Sequence, residues 1–325
     1  MAARSFALML SLAIGAMFAA GGAPAQTYPD RLIKVVVPYP PGGPIDATAR
    51  LVVHRLGPML GQSVIVENRA GAGGALGSKA VAAAEPDGYT LLFGNASAFV
   101  VGPAVYRLRD YDILTHFTPV AKITEGYEVL VVAPELPAAN VQELISYAKD
   151  RPGKLNFGSM GYGNMTHLVA ELFKLRTGTD FQHVPYKGSP EAVAGLLAGQ
   201  VHMLFGDVAG LLPHVREGKL RALAVSSATR NALAPELPTF VEEALPDFVA
   251  LTFTGVVAPA ATPAAIVNKL NAAINEAVKP AEFVAAMAKL GAEVRTGSPA
   301  EFATFLDRER SKWTDVITRT GIKAD

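Results

Sequence analysis

The chain has 325 residues, with 29 Lys plus Arg, 29 Asp plus Glu and no cysteine. Balanced charge leaves no basic footprint for nucleic acid or an anionic membrane. The lack of cysteine removes disulfides, thiolate metal sites and cysteine nucleophiles.

The first element is a leader. "MAARSFALMLSLAIGAMFAA" places Arg4 before an apolar run, and Ala23-Pro24-Ala25 fits a small-x-small cleavage site. Residues 1–25 therefore read as a secretory signal peptide cut after Ala25. With no cysteine after that site, a lipoprotein anchor is excluded. The mature chain, about 300 residues with 28 basic and 29 acidic side chains, has a net charge near −1. It contains no apolar stretch near the roughly 18–20 residues of a spanning helix. The expectation is a soluble exported protein, large enough for two domains.

From Leu32 the pattern alternates. "LIKVVVPY" is a β-branched strand, and "ATARLVVHRLGPML" carries Ala49, Val52, Val53, Leu56 and Leu60 on one helical face. "SVIVEN", a glycine-rich turn with the helix of "GAGGALGSKAVAAA", and the strand "TLLFGN" complete a β-α-β-α-β series, which implies a parallel sheet flanked by helices. A second series starts near Val129. "VLVVAP" is a strand, "NVQELISYAKDRPG" a helix with Asn140 and Glu143 as a capping box, and "KLNFGS" a strand. "MTHLVAELFKL" (helix), "QHVPY" (strand), "SPEAVAGLLAG" (helix capped by Ser189, with Pro190 in its first turn), "VHMLFGD" and "LRALAVSS" (strands around a short helix) follow. Then "LTFTGVVAPAATP" is extended, and two helices close the protein, one starting at Thr262-Pro263 and one with a Ser298/Glu301 capping box. Packed back on the first unit, they make domain 1 discontinuous (27–125 and 250–325), with domain 2 inserted at 126–249. Two crossings, around 121–131 and 249–258, would form a hinge over a cleft.

Ligands of open α/β sheets bind beyond the carboxyl ends of the strands. Three loops there are glycine-rich: "PYPPGGPID" (38–46), "RAGAGGALG" (69–77) and "GSMGYGN" (158–164). Inward-turned backbone N–H groups and helix N-termini can grip an anion without a lysine or arginine. "GAGGALG" resembles a relaxed dinucleotide fingerprint, but the next strand ends in Gly94-Asn95 without the ribose-binding acid, and no Walker A sequence occurs. Ser159 occupies half of a nucleophile elbow, with Phe157 in the first glycine position. The six histidines form no metal-ligand pair, and His167 sits four before Glu171 as a side-chain pair on one helix face. Asp46 and Asp207 read as helix caps or turn residues, with contact to a cationic part of a ligand open for Asp207. Tyr39 and Tyr186 are either cleft walls or packing, and Lys187 either closes over an anion or is solvated.

The chain resembles the Bug-type solute receptors of tripartite tricarboxylate transporters. The stretches that carry the resemblance are "YPDRLIKVVVPYPPGGPIDATAR", "VIVENRAGAGGALGSKAVAAAEPDGYTLL", "PGKLNFGSMGYGNMTHLVAELFK", "HVPYKG", "LPTFVEEALPDF" and "GVVAPAATP", in family order across the mature chain. The resemblance implies an α/β, two-lobed type II periplasmic binding protein fold, each lobe a mostly parallel sheet flanked by helices, joined by a two-strand hinge. It implies a monomeric periplasmic binding protein without cofactor, metal or catalysis. Such a protein would capture a small carboxylate and deliver it to two integral-membrane permease subunits. Ligand contacts carried over are Tyr39, Pro41, Gly43 and Asp46 from the first lobe, and Ser159, Gly163, Asn164, Tyr186 and Asp207 from the second. Asn164 stands where many relatives have Ser or Thr, Phe253 where a Trp often precedes the hinge strand, and Gly195 in place of a common Asp. The alternatives are a secreted α/β serine hydrolase using Ser159, and a sensory adaptor that binds ligand without feeding a permease.

Overall fold

The structure, a computed structural model, describes residues 28–106 and 111–323; the leader read over 1–25 lies outside them. The first series is β1 (Ile33–Val37), α1 (Pro44–Leu60), β2 (Val64–Asn68), α2 (Ala75–Ala82) and β3 (Thr90–Asn95). A π-helical turn, Ser97–Val101, runs into a short α3 (Gly102–Val105), and β4 (Phe117–Val132) follows. The second series is α4 (Val141–Lys149), β5 (Leu155–Ser159), α5 (Met165–Thr177), β6 (Phe181–Pro185), α6 (Ser189–Leu197), β7 (Met203–Asp207), α7 (Val208–Arg216) and β8 (Arg221–Val225). The chain closes with β9 (Leu251–Pro259), α8 (Ala264–Ala277), α9 (Ala281–Lys289), β10 (Ala292–Val294) and α10 (Pro299–Thr320).

The strands run in the order β2-β1-β3-β9-β4-β7-β5-β6, with β10 and β8 also pairing with β4. β1 is parallel to β2 and β3, and β5 to β6 and β7; β9 and β4 are antiparallel to their neighbours. β4 changes partners midway. Through Tyr127 it pairs with β9, and from Glu128 it pairs with β7 and β8. The returning chain passes beside that point. Ser226 N–H donates to Glu128 O (2.8 Å), Glu128 N–H to Ser226 Oγ (2.9 Å), and Ala250 N–H to Ser226 O (3.0 Å). Ser226 thus clasps both crossings between two lobes.

The core differs on the two faces of this sheet. One cluster is continuous across both lobes, from Leu92 and Phe253 through Phe302 and Trp313 of α10 to Phe157, Phe173 and Phe205. On the other face the core splits into one cluster under α1, α8 and α9 and another under α6 and α7. A hinge bends most easily where packing is interrupted, because close-packed interiors deform little.

Several elements depart from the sequence reading. Of "VLVVAP", only "VLVV" is strand, the end of a 16-residue strand that stops at Val132. The C-terminal region holds α9 and β10 besides the two expected helices; Pro280 precedes α9 and Gly291, at φ 74°, ends it. Ser189 does not cap α6: Gly188 occupies the N-cap, and Ser189 is already the first helical residue. The Ser298/Glu301 capping box is present in full. At α4, Glu143 N–H donates to Asn140 Oδ1, while the Glu143 carboxylate reaches one residue further back, to Ala139 N–H.

Candidate functional site: the cleft between the lobes

The loop after β1 is held by Asp46. Its carboxylate, in a residue only 3% exposed, accepts from Gly42 N–H, Arg50 Nε and Asn68 Nδ2, each at 2.9 Å. The Arg50 bond leads in holding this carboxyl at about 2, against the opposing effect of burial. Asn68 Nδ2 also donates to Tyr39 O (3.1 Å), and the Tyr39 hydroxyl donates to Asn95 Oδ1 (2.6 Å), which also accepts from Ala98 N–H in the π-helical turn. Burial raises the Tyr39 phenol, so it stays a neutral donor. With Asp46 committed to the loop, α1 begins at Gly43 with no side-chain cap and Pro44 in its first turn. The N–H groups of Ile45 and Asp46 bond to no described residue and are left for a ligand or solvent. α2 likewise starts uncapped, from Gly74.

The facing loop of the second lobe is built from buried polar contacts. Ser159 is fully buried; its Oγ donates to Gly161 O (3.1 Å) and lies 2.7 Å from His183 Nε2. The His183 and His167 rings stack at 3.8 Å, and His167 Nδ1 accepts from Gly163 N–H at 3.0 Å. Burial first, then neighbouring positive charge, lowers His167 to about 3 and His183 to about 4, so both are neutral. His167 Nε2 is 3.9 Å from Glu171, the structural pair anticipated from their spacing. Asn164 caps α5 through Oδ1, accepting from Thr166 N–H (3.0 Å); its NH2 group bonds to no described residue. No carboxylate hydrogen-bonds His183 among the described residues.

The predicted set is therefore divided. Tyr39, Gly43 and Asp46 form one lip, and Ser159, Gly163 and Asn164 the other. Pro41 is exposed at the turn. The second lip approaches the first lobe at Gly163, whose φ of 69° suits glycine and where an added Cβ would stand 3.1 Å from Val105 of α3. A second approach across the cleft is Gly291, where an added Cβ would stand 2.9 Å from Ala209. Tyr186 is turned away: its ring packs over Gly158 and Gly195, and its hydroxyl donates to Gln200 at 3.3 Å. Asp207 caps α7 by accepting from Gly210 N–H at 2.6 Å. It also lines an interlobe cavity of about 330 Å³ with Pro44, Ile45, Thr48, Thr124 and Thr254.

Three residues escaped the sequence reading. Tyr106 and Tyr162 are exposed tyrosines flanking the Val105–Gly163 approach, and Tyr162 lay in plain view within "GSMGYGN". Glu128, 5% exposed with Oε2 lacking any hydrogen-bond partner, stands directly opposite Asp207 in the β4–β7 pairing. Burial, then the Asp207 charge, pushes the Glu128 carboxyl up to about 8. In sequence it lies just ahead of the strand read as "VLVVAP". The described residues contain no group of three His, Asp or Glu arranged to hold a metal.

Comparison with known proteins agrees with this architecture. A family model described as the tripartite tricarboxylate transporter family receptor matches residues 48–322. The protein BugT of Bordetella pertussis is 40% identical over 300 residues, covering 92% of each chain. A Rhodopseudomonas palustris protein solved with adipate is 35% identical with a TM-score of 0.73, over 91% of this chain and 99% of that one. MatC from the same organism, with bound malate, is 34% identical with a TM-score of 0.71, over 89% and 100%. With its two α/β lobes and paired crossings, the chain belongs to the Bug-type receptors of the tripartite tricarboxylate transporter family.

Proposed function

We propose that this chain is exported by its leader to the periplasm, closes its two lobes on a small carboxylate and presents it to a pair of membrane permease subunits. The pivot is the Ser226-clasped crossing, with lobe one ending near Tyr127 and resuming near Leu251. The observation that carries the reading is the uncapped N-terminus of α1 opening into the interlobe cavity, whose described lining includes no Lys, Arg or His. Unspent N–H groups with the positive end of a helix dipole suit a carboxylate and release it more readily than a bidentate arginine would. Relatives solved with adipate and malate support the same ligand class.

Closure by ligand is a population shift: contacts from both lips exist together only in the closed form. On this reading Asp46, Tyr39 and Ser159 fix the lips, and Gly43, Gly163 and Asn164 would contact the ligand on closure. A thermal-shift screen of mono- and dicarboxylic acids tests the reading. At least one acid should raise the melting temperature with saturating dose dependence, by about 2.7 kcal/mol of stabilisation at a hundredfold excess over Kd. A flat response across the panel contradicts it.

A further inference from the structure

Glu128 sits at the pivot. β4 leaves β9 for β7 at this residue, and Ser226 holds its backbone at both the N–H and the carbonyl. The side chain is 5% exposed and its Oε2 has no partner. Asp207, directly opposite on β7, shares its face of the sheet. Two carboxyls so placed resist being charged together: burial first, then the Asp207 charge, pushes the Glu128 carboxyl up to about 8.

The cover over this face comes from the other lobe. Side chains alternate along β4, so Gly126 and Glu128 lie on one side of it. Gly291, in the turn between α9 and β10, stands over that side: a Cβ at Gly126 would be 3.6 Å from Gly291 O. The same Gly291 approaches Ala209, two residues past Asp207 in the first turn of α7, where its added Cβ would be 2.9 Å away. Other neighbours bring no charge to the pair. α1 and α9 present Pro44, Ile45, Thr48, Met287 and Leu290 to the adjoining cavity, and β8 leads into the uncharged Ser226. Glu125, Glu293 and Arg295 lie about the Tyr127 phenol, on the opposite face of β4.

We propose that closure takes up one proton from solvent: Glu128 is neutral while Gly291 of the first lobe packs on Ala209 of the second, and it ionises when the lobes part and water reaches the Glu128–Asp207 pair. This rests on the closure reading above and adds a proton to its equilibrium. With the Gly291–Ala209 contact made, the Glu128 carboxyl stands at about 8; hydration in the open form returns it toward the ordinary 4.5. The proton therefore favours closure in full below the open-form value, and that advantage is lost as pH rises through about 8.

The chain has no cysteine, so nitroxide labels can be placed at Leu76→Cys on the first lobe and Lys187→Cys on the second, both exposed positions. Electron–electron double resonance on the ligand-free mature chain then reads the distance between the lobes. From about pH 6 to about pH 9 the shorter-distance, closed population should fall about threefold or more, and Glu128→Gln, neutral throughout, should hold it constant. Asp207→Asn removes the facing charge and should move the midpoint of the transition down by about half a pH unit or more. Asn at 207 can still cap α7, so this variant tests the link even if Glu128→Gln fails to fold. A distance distribution unchanged between the two pH values, or a pH response that survives either variant unaltered, overturns the proton link. Shortening of the same distance by a carboxylic acid would then leave the closure reading standing; no shortening by any acid of the panel brings down both.

Discussion

Ser159 Oγ lies 2.7 Å from His183 Nε2, yet the serine is fully buried and the histidine is stacked on a second imidazole. An acyl-transfer serine needs a path to substrate and a third group that orients its base. Here the pair pins the lip at the end of β5. A serine-directed phosphonate should leave Ser159 unlabelled. Ser159→Ala should cost about 1–2 kcal/mol in stability, by denaturant unfolding, through the lost buried hydrogen bonds. Stoichiometric labelling at Ser159 would point to the hydrolase alternative.

The stacked histidines should make the protein acid-sensitive. Both have folded pKa values below the usual 6.5, at about 3 and about 4. The unfolded chain therefore binds more protons between these values and 6.5, so stability is full above pH 6.5 and declines as pH falls toward 4. His167→Gln together with His183→Gln should flatten this decline. A wild-type stability constant from pH 7 to 4.5 would contradict the assignment.

Glu128 carries the opposite sign. Its folded pKa of about 8 exceeds the unfolded 4.5, so the folded form holds the extra proton and stability falls as pH rises from 4.5 to 8. Between about pH 7.5 and 8 the two histidines contribute almost no slope, which isolates the effect. In that window the ligand-free protein should lose at most about 1.4 kcal/mol per pH unit, and Glu128→Gln should remove the loss.

Asp46 should matter through the loop it holds. Asp46→Ala orphans the Gly42 N–H and the Asn68 amide and frees Arg50, at a cost of about 2 kcal/mol. Its folded pKa of about 2 lies below the unfolded 3.8, so this contribution is present above pH 3.8 and is lost as pH falls toward 2. Ligand affinity should drop in the same variant, because the N-terminus of α1 loses its fixed direction.

Gly195 is explained by Tyr186. A Cβ at 195 would stand 2.2 Å from the Tyr186 hydroxyl oxygen and 2.5 Å from Cζ. Alanine gains about 1 kcal/mol of helix propensity over glycine, but displacing a packed ring costs about 1–3 kcal/mol. Gly195→Ala should therefore destabilise by up to about 2 kcal/mol. Much of that penalty should vanish in a Tyr186→Ala background, a coupling that a double-mutant cycle reads directly. Stabilisation by Gly195→Ala alone would show that the ring moves at no cost.

The alternation of strands and helices was legible because apolar period and glycine breaks are local signals. The glycine lips were legible for the same reason. β4 was cut short because Thr118, Pro119 and Lys122 interrupt its apolar run, while its pairing with β9 is non-local. α9 was passed over although Pro280 and Gly291 bracket it. Side-chain direction was not legible. Tyr186 could have faced the cleft or the packing beneath α6, and only the space at Gly158 and Gly195 decides it. Glu128 was hidden because the strand was read only from Val129, which left this acid ahead of it.

The central claim is capture by closure between the lobes. Small-angle scattering of the mature chain, titrated with the acid that most raises its melting temperature, tests it most directly. A saturable fall in radius of gyration at the same midpoint as the thermal shift is the result this account predicts. An unchanged radius at saturating ligand would contradict it.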